Sequence, residues 1–199
     1  MNGSATYSLD PVGNQLSDQS SLGPLGSASA TYNADDQPQD ESYDASGDTT
    51  FTGGNSYAYN SWLRLVSMNG GQVALAYNGL GQLVSKTANG VTTQYLIDDL
   101  SPTGYPQVVA EVVNGQPVRT YTYGLERISE LQTASNTASF YQYDGRGTVR
   151  MLTDVNGNPT DTYEYDAYGN LIAQATVPAG ASPTLNSYLY RGERYDADL

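Results

Sequence analysis

Cysteine and histidine are both missing from this 199-residue chain. Without cysteine there is no disulfide, no thiolate metal site and no thiol nucleophile. Without histidine the usual general base and the commonest transition-metal ligand are gone, and a Ser-His-Asp triad is excluded. Positive charge is scarce. Eight Lys plus Arg face 21 Asp plus Glu, a net charge of −13, and no basic side chain precedes Arg64. Such a surface repels phosphate backbones, so nucleic acid is not an expected partner. Low charge density with strong acidity fits a secreted or cell-surface protein. No run approaches the roughly 20 apolar residues of a spanning helix, so no membrane span is expected. The start, Met1-Asn2-Gly3-Ser4, lacks the basic and apolar regions of a signal peptide.

Phe (2) and Trp (1) are nearly absent, yet Tyr occurs 18 times. Five Tyr-x-Tyr pairs stand out: Tyr57/Tyr59, Tyr121/Tyr123, Tyr141/Tyr143, Tyr163/Tyr165 and Tyr188/Tyr190. Two open a Tyr-Asp-x-x-Gly unit, with Asp144 and Gly147 in one and Asp166 and Gly169 in the other. Tyr77-Asn78-Gly79-Leu80-Gly81 is the same unit with Asn for Asp. A repeat of this kind fixes the architecture before any single residue is read.

The units read as β-hairpins. Val73–Tyr77 alternates as a strand, and Asn78 with Gly81 marks a type I turn closed by a left-handed glycine, the G1-bulge hairpin. Gln82–Ala88 follows as a strand. Asn89-Gly90 is the preferred pair of a two-residue type I′ turn, leading into Val91–Ile97. Strands at 107–113, 117–123, 140–143, 148–153, 160–165 and 170–176 continue the grammar, with turns at Asn114-Gly115, Asp144–Gly147, Asn156-Gly157 and Asp166–Gly169. In a strand, residues i and i+2 share a face, so each tyrosine pair lies on one side and stacked hairpins align the pairs into ladders. Tyr7–Leu16 and Tyr43–Gly47 read as degenerate copies. The expectation is one all-β domain over 1–199, degenerate over 1–54 and regular over 55–199, built as an antiparallel meander.

These residues resemble the YD-repeat, or RHS-repeat, family. Residues 141–154 and 163–171 are similar to its RHS-associated core, and 188–196 continue it; 94–107 resemble the segment that often precedes the core. The resemblance implies hairpins wound as a spiral sheet or barrel-like shell wall. In bacterial members the shell encloses a toxin, and the core ends in an autoproteolytic Asp-Pro-x-Gly-Leu-type motif. That motif does not occur here, so the resemblance is to a core truncated before it, and neither autoproteolysis nor toxicity carries over.

Chemistry-bearing candidates are few. Asp98-Asp99 as neighbours in a strand would point to opposite faces, unlike a glycosidase pair about 5–9 Å apart; a turn is the simpler reading. Asp154, Asn156, Asn158 and Asp161 alternate like the start of a calcium loop but lack its central Gly and terminal Glu. Asn2 heads a glycosylation acceptor. Arg146, Arg150, Arg191 and Arg194 are expected to pair with acids of neighbouring hairpins. No cofactor and no enzymatic activity are expected. The reading is a structural segment whose partners are the rest of a longer shell or a second copy, with an enclosed polypeptide or a surface glycan as candidates. The alternative is an adhesion or carbohydrate-binding module using exposed tyrosine faces. A cut spiral leaves unpaired sheet edges. Self-association is therefore expected, and light scattering coupled to size exclusion should give a mass above the 21.3 kDa of one chain; a clean monomer would refute it.

Overall fold

The computed structural model describes residues 3–22 and 25–199. Asn2 of the glycosylation acceptor, and Gly23 and Pro24, lie outside the described residues. The chain divides into two compact units, Met1–Gly70 with Glu164–Ala173, and Gly71–Tyr163 with Gln174–Leu199.

The first unit holds β1 (Ala5–Leu9), β2 (Gln15–Ser20) and β3 (Ala28–Ser29) as one small antiparallel sheet. It also holds a meander of β4 (Ser42–Tyr43), β5 (Thr49–Thr52), β6 (Asn55–Tyr59) and β7 (Leu65–Met68). Its tyrosines tie it together. The Tyr7 hydroxyl donates to Asp166 Oδ2 at 2.9 Å, and its ring meets Tyr168 edge-on at 4.7 Å.

The second unit is a longer meander. It comprises β8 (Val73–Tyr77), β9 (Leu83–Ala88), β10 (Val91–Asp98), β11 (Gln107–Val113), β12 (Gln116–Tyr123), β13 (Arg127–Gln132), β14 (Thr137–Tyr143) and β15 (Val149–Thr153). Each pairs antiparallel with its chain neighbour, and β15 pairs with β16 (Pro159–Tyr165). The all-β antiparallel meander expected from sequence is the observed fold class. The core of this unit is small: Val149 and Leu152 have no exposed surface, and Tyr163 only 2%. Burying each aliphatic side chain stabilises by roughly 1.5–3 kcal/mol.

One local device closes hairpin after hairpin. In each copy an Asx side-chain oxygen accepts the N–H groups two and four residues on. Its own N–H donates to the carbonyl of residue i+4, and the N–H of residue i+3 donates back to the Asx carbonyl. The loops headed by Asp10, Asn33, Asp44 and Asn60 are built this way in the first unit, as is that of Asp166. Asn78, Asp144 and Asp154 head the same loop in the second. The fourth residue is always left-handed, as at Gly81 (φ 84°) and Gly147 (φ 76°). In the Asn60 loop that place is held by Leu63 (φ 57°), where a side chain costs roughly 1–2 kcal/mol.

Asn156-Gly157 was expected to make its own hairpin turn. It is instead the interior of the Asp154 loop, with only Gly157 at positive φ. True two-residue turns, with both φ positive, occur at Asn89-Gly90 and Asn114-Gly115 as expected, and also at Gly53-Gly54.

Because Asn and Asp head the same loop, Asn78→Asp should change stability by under about 0.5 kcal/mol, whereas Asn78→Ala should cost about 1–2 kcal/mol by orphaning two backbone donors. Urea unfolding of the three proteins is the measurement; equal losses in both variants would refute the device.

Candidate functional site: the tyrosine face

The Asx loop also aims the tyrosines. The strand register slips by one residue at the tyrosine just before the Asx, at Ala58/Tyr59, Ala76/Tyr77 and Gln142/Tyr143. A bulge of this kind re-aims the side chain it carries. The second tyrosine of a pair then reaches a neighbouring carbonyl: Tyr59 donates to Thr49 O at 3.0 Å, Tyr123 to Val108 O at 3.0 Å, and Tyr143 to Arg127 O at 2.8 Å.

The first tyrosine has a different partner. Tyr121 donates to Glu111 Oε1 at 2.8 Å and Tyr141 to Glu130 Oε2 at 2.7 Å, all four residues being buried. A buried carboxylate needs a cation. Arg119 lies 3.8 Å from Glu111 and 3.9 Å from Glu130, and donates to the Tyr121 hydroxyl. Burial pushes the Glu130 carboxyl above its usual range, and Arg119 and the Tyr141 hydroxyl pull it part of the way back.

Tyr121 and Tyr141 meet through a cation. Arg127, on β13 between them, fills the gap. Its guanidinium carbon sits 5.6 Å from the Tyr121 ring centre, 5.5 Å from Tyr141 and 3.1 Å from Tyr188. Burial works against its charge, but the surrounding phenols outweigh that and hold it protonated.

A C-terminal strap covers this face, crossing the strands in reverse order. Thr184 donates its N–H to Asp161 on β16, and Asn186 accepts from Tyr141 on β14. Ser187 accepts from Arg119 on β12 at 3.0 Å, and Tyr188 packs on Arg127 and edge-on against Tyr121 at 5.2 Å. Arg194 stacks on Tyr95 of β10 at 4.0 Å. Asp196 and Asp198 then hold Lys86 of β9 at 2.6 and 2.7 Å.

Sequence expectations are corrected at several points. Tyr188/Tyr190 is not a strand pair, because Arg191 (φ 54°) and Gly192 (φ 68°) turn the chain there. Tyr121, Tyr141, Tyr163 and Tyr188 are buried, so the exposed tyrosine faces of the carbohydrate-binding alternative are not offered by these residues. The four calcium candidates do not converge. Both Asp154 oxygens serve its own loop, where Asn156 and Asn158 are exposed, while Asp161 is 1% exposed and bound to Thr184. Of the four arginines expected to pair with neighbouring hairpins, Arg150 instead pairs with Asp144 of its own hairpin at 2.9 Å. Asp98 ends β10 and accepts the Leu100 N–H on Oδ1, while Asp99 and Leu100 form the turn that follows.

Residues not singled out from sequence carry the face: Lys86, Glu111, Arg119, Arg127 and Glu130. A signal was present. Each inward acid precedes its tyrosine by one hairpin strand, 10 residues for Glu111–Tyr121 and 11 for Glu130–Tyr141.

No family model matches the chain. Among solved structures, the chain is similar to part of the Photorhabdus luminescens Tc holotoxin pore (TM-score 0.69, 16% identical, 98% of this chain, 11% of that one). It is equally similar to a TcdB2–TccC3 crystal structure (TM-score 0.70, 16% identical, the same coverages). These are likenesses of fold. In sequence it is 29% identical over 162 residues to the tRNA3(Ser)-specific nuclease WapA of Bacillus spizizenii, and 28% to the tRNA nuclease WapA of Bacillus subtilis. The chain spans 7% of the length of those relatives and 79% of its own is matched. The likenesses support the YD-repeat resemblance at the level of the repeat fold. The nuclease names overturn the expectation that no enzymatic activity attaches to this kind of chain. Absence of His and Cys, on which that expectation rested, says nothing of the remaining 93% of such proteins. Among the described residues no helix is long and apolar enough to cross a membrane.

Burial raises the phenols of Tyr121, Tyr141, Tyr163 and Tyr188, and pushes Tyr143 up to about 12 from 10.0. A folded-state pKa above the unfolded one contributes stability below pH 10 that is lost as pH rises toward 12. Tyrosinate absorbance should therefore lag in the folded chain above pH 10 and then jump together with loss of circular dichroism. A smooth titration at the ordinary phenol value with the fold intact would refute the buried face.

Proposed function

We propose that the chain is a wall segment of a longer, secreted or surface-borne, toxin-related protein, in which hairpins of this kind form part of an enclosing β-shell. The observation that carries this reading is the likeness of fold over 98% of the chain to a component of a Tc holotoxin. The local build supports it. Hairpins closed by their own Asx loops can be added in series, since each loop satisfies its backbone groups without help from a distant element. The tyrosine face, wetted by hydroxyls and charges, suits a thin wall better than a dry core does.

The relatives' names extend the reading to the longer protein, which we assign an action on tRNA. An enclosed polypeptide is then the natural partner of the wall.

The test uses the longer protein containing this segment. Intact, it should shield an internal polypeptide from added protease, and tRNA cleavage should rise once mild denaturant opens the wall. Immediate digestion of every segment would refute the enclosing role. Lack of tRNA cleavage in the intact, opened and protease-treated states alike would refute the tRNA assignment.

A further inference from the structure

Beside the strap lies a solvent-open cavity of about 760 Å³, wholly within the second unit. Its floor is cationic. Arg127, 7% exposed, and Arg194 both line it, with Arg191 at the rim. Against these three guanidiniums stand two carboxylates, Glu126 and Glu193, both exposed. The excess of positive charge occurs in a chain whose net charge is −13.

Neither inner arginine makes a direct ion pair, although buried Glu111 acts on Arg194 from beyond contact distance. Among the described residues no carboxylate oxygen lies within 4.0 Å of Arg127 or Arg194. Arg127 spends Nε on the Tyr123 hydroxyl at 3.1 Å and makes one long contact, 3.5 Å, to Gly192 O. The Tyr143 hydroxyl is a further hydrogen-bond neighbour of the Arg127 guanidinium. Arg194 gives one N–H to the Tyr95 hydroxyl, and its Nε is buried without a partner. Stacking on tyrosines offsets part of the desolvation, by roughly 0.5–2 kcal/mol per contact, but uses the faces of the guanidinium and leaves the Arg194 Nε edge without an acceptor. A guanidinium edge is matched to a planar oxyanion, which it holds with two parallel hydrogen bonds.

The mouth has the opposite character. Tyr105 (74% exposed) and Leu125 (86%) stand there, beside Pro106. Both belong to turns on the same edge of the meander, between β10 and β11 and between β12 and β13. A cavity of a few hundred Å³ with apolar walls and a few convergent polar groups is the usual form of a ligand site.

We propose that this cavity binds a polypeptide segment carrying an acidic side chain next to an apolar or aromatic one, the carboxylate reaching Arg127 and Arg194 and the apolar neighbour resting on Tyr105 and Leu125. A bare oxyanion would satisfy the floor but leave the mouth unused. The proposal concerns the 199-residue chain by itself and does not depend on its place in a shell.

The probes are the acetylated, amidated tripeptide Leu-Asp-Tyr, its Leu-Asn-Tyr counterpart and inorganic phosphate, followed by calorimetry at low ionic strength. The acidic peptide should bind about tenfold or more tightly than the amide, since the difference is a charge-assisted bidentate contact. Arg194→Gln should weaken it by about tenfold, and Tyr105→Ala by a few-fold with melting unchanged. Equal affinity for the two peptides overturns the proposal, as does unaltered binding in a folded Arg194→Gln. If Arg194→Gln does not fold, Tyr105→Ala decides: unchanged affinity there overturns it. Displacement of the peptide by an equal concentration of phosphate would assign the floor to a free oxyanion instead and overturn the peptide as occupant.

Discussion

A phenol hydroxyl taken out of water has to find an acceptor, and in the second unit that requirement propagates from residue to residue. Leaving such a group unsatisfied costs about 1–3 kcal/mol, more than the roughly 0.2–1 kcal/mol a cross-strand aromatic contact returns. Hydrogen bonds therefore decide the arrangement of the tyrosines, and ring contacts follow. Tyr121 and Tyr141 recruit Glu111 and Glu130; two buried acids recruit Arg119; the spaces between rings admit Arg127. Tyr163 is the exception, its hydroxyl buried without a hydrogen bond. The result is a face that is aromatic and ionic at once, with four of the chain's eight basic residues (Lys86, Arg119, Arg127, Arg194) drawn onto it.

The loops make this possible at low cost. An Asx oxygen that accepts two backbone N–H groups fixes both the turn and the one-residue slip before it. The slip turns the preceding tyrosine so that its hydroxyl meets a carbonyl of the adjoining strand. Turn chemistry and face chemistry are thus one unit of sequence, Tyr-Asx-x-x-Gly, and a mutation at either end disturbs both. In the first unit the same loops occur with few buried side chains, Met68, Tyr165 and Ile172 among them. There the hairpins rely on their own loops and strand hydrogen bonds more than on a core.

What was legible in the sequence was whatever acts over four or five residues. Asn78–Gly81 and Asp144–Gly147 could be read as bulged turns because the Asx acceptor and the left-handed glycine both act within the segment. Asn156-Gly157 misled because the dipeptide signal is strong, and the oxygen that overrides it sits two residues earlier, at Asp154. Long-range placement left little trace. Nothing local distinguishes the Arg127 that packs on Tyr188 from the exposed Arg146, and a charge is ordinarily assigned to solvent. Glu111 and Glu130 carry no local signal of burial, yet the need of buried phenols for acceptors holds them inward. The strap was hidden for a related reason: Tyr188-Leu189-Tyr190 copies the repeat, but Arg191 and Gly192 bend it out of a strand.

The strap also bears on what such a face can do. It lies across the strands and makes roughly one polar or stacking contact per strand, at Asp161, Tyr141, Arg119, Tyr95 and Lys86. Each contact of this kind is worth about 0.5–1.5 kcal/mol net when neutral, somewhat more when charged, because water competes for the same groups. Hold is therefore distributed, and no single contact decides it. A face with this property accepts extended chains through many weak, similar bonds, without demanding a unique sequence. Specificity enters where a charge is left without a direct ion pair, at Arg127 and Arg194, because there the gain depends on what the incoming chain carries.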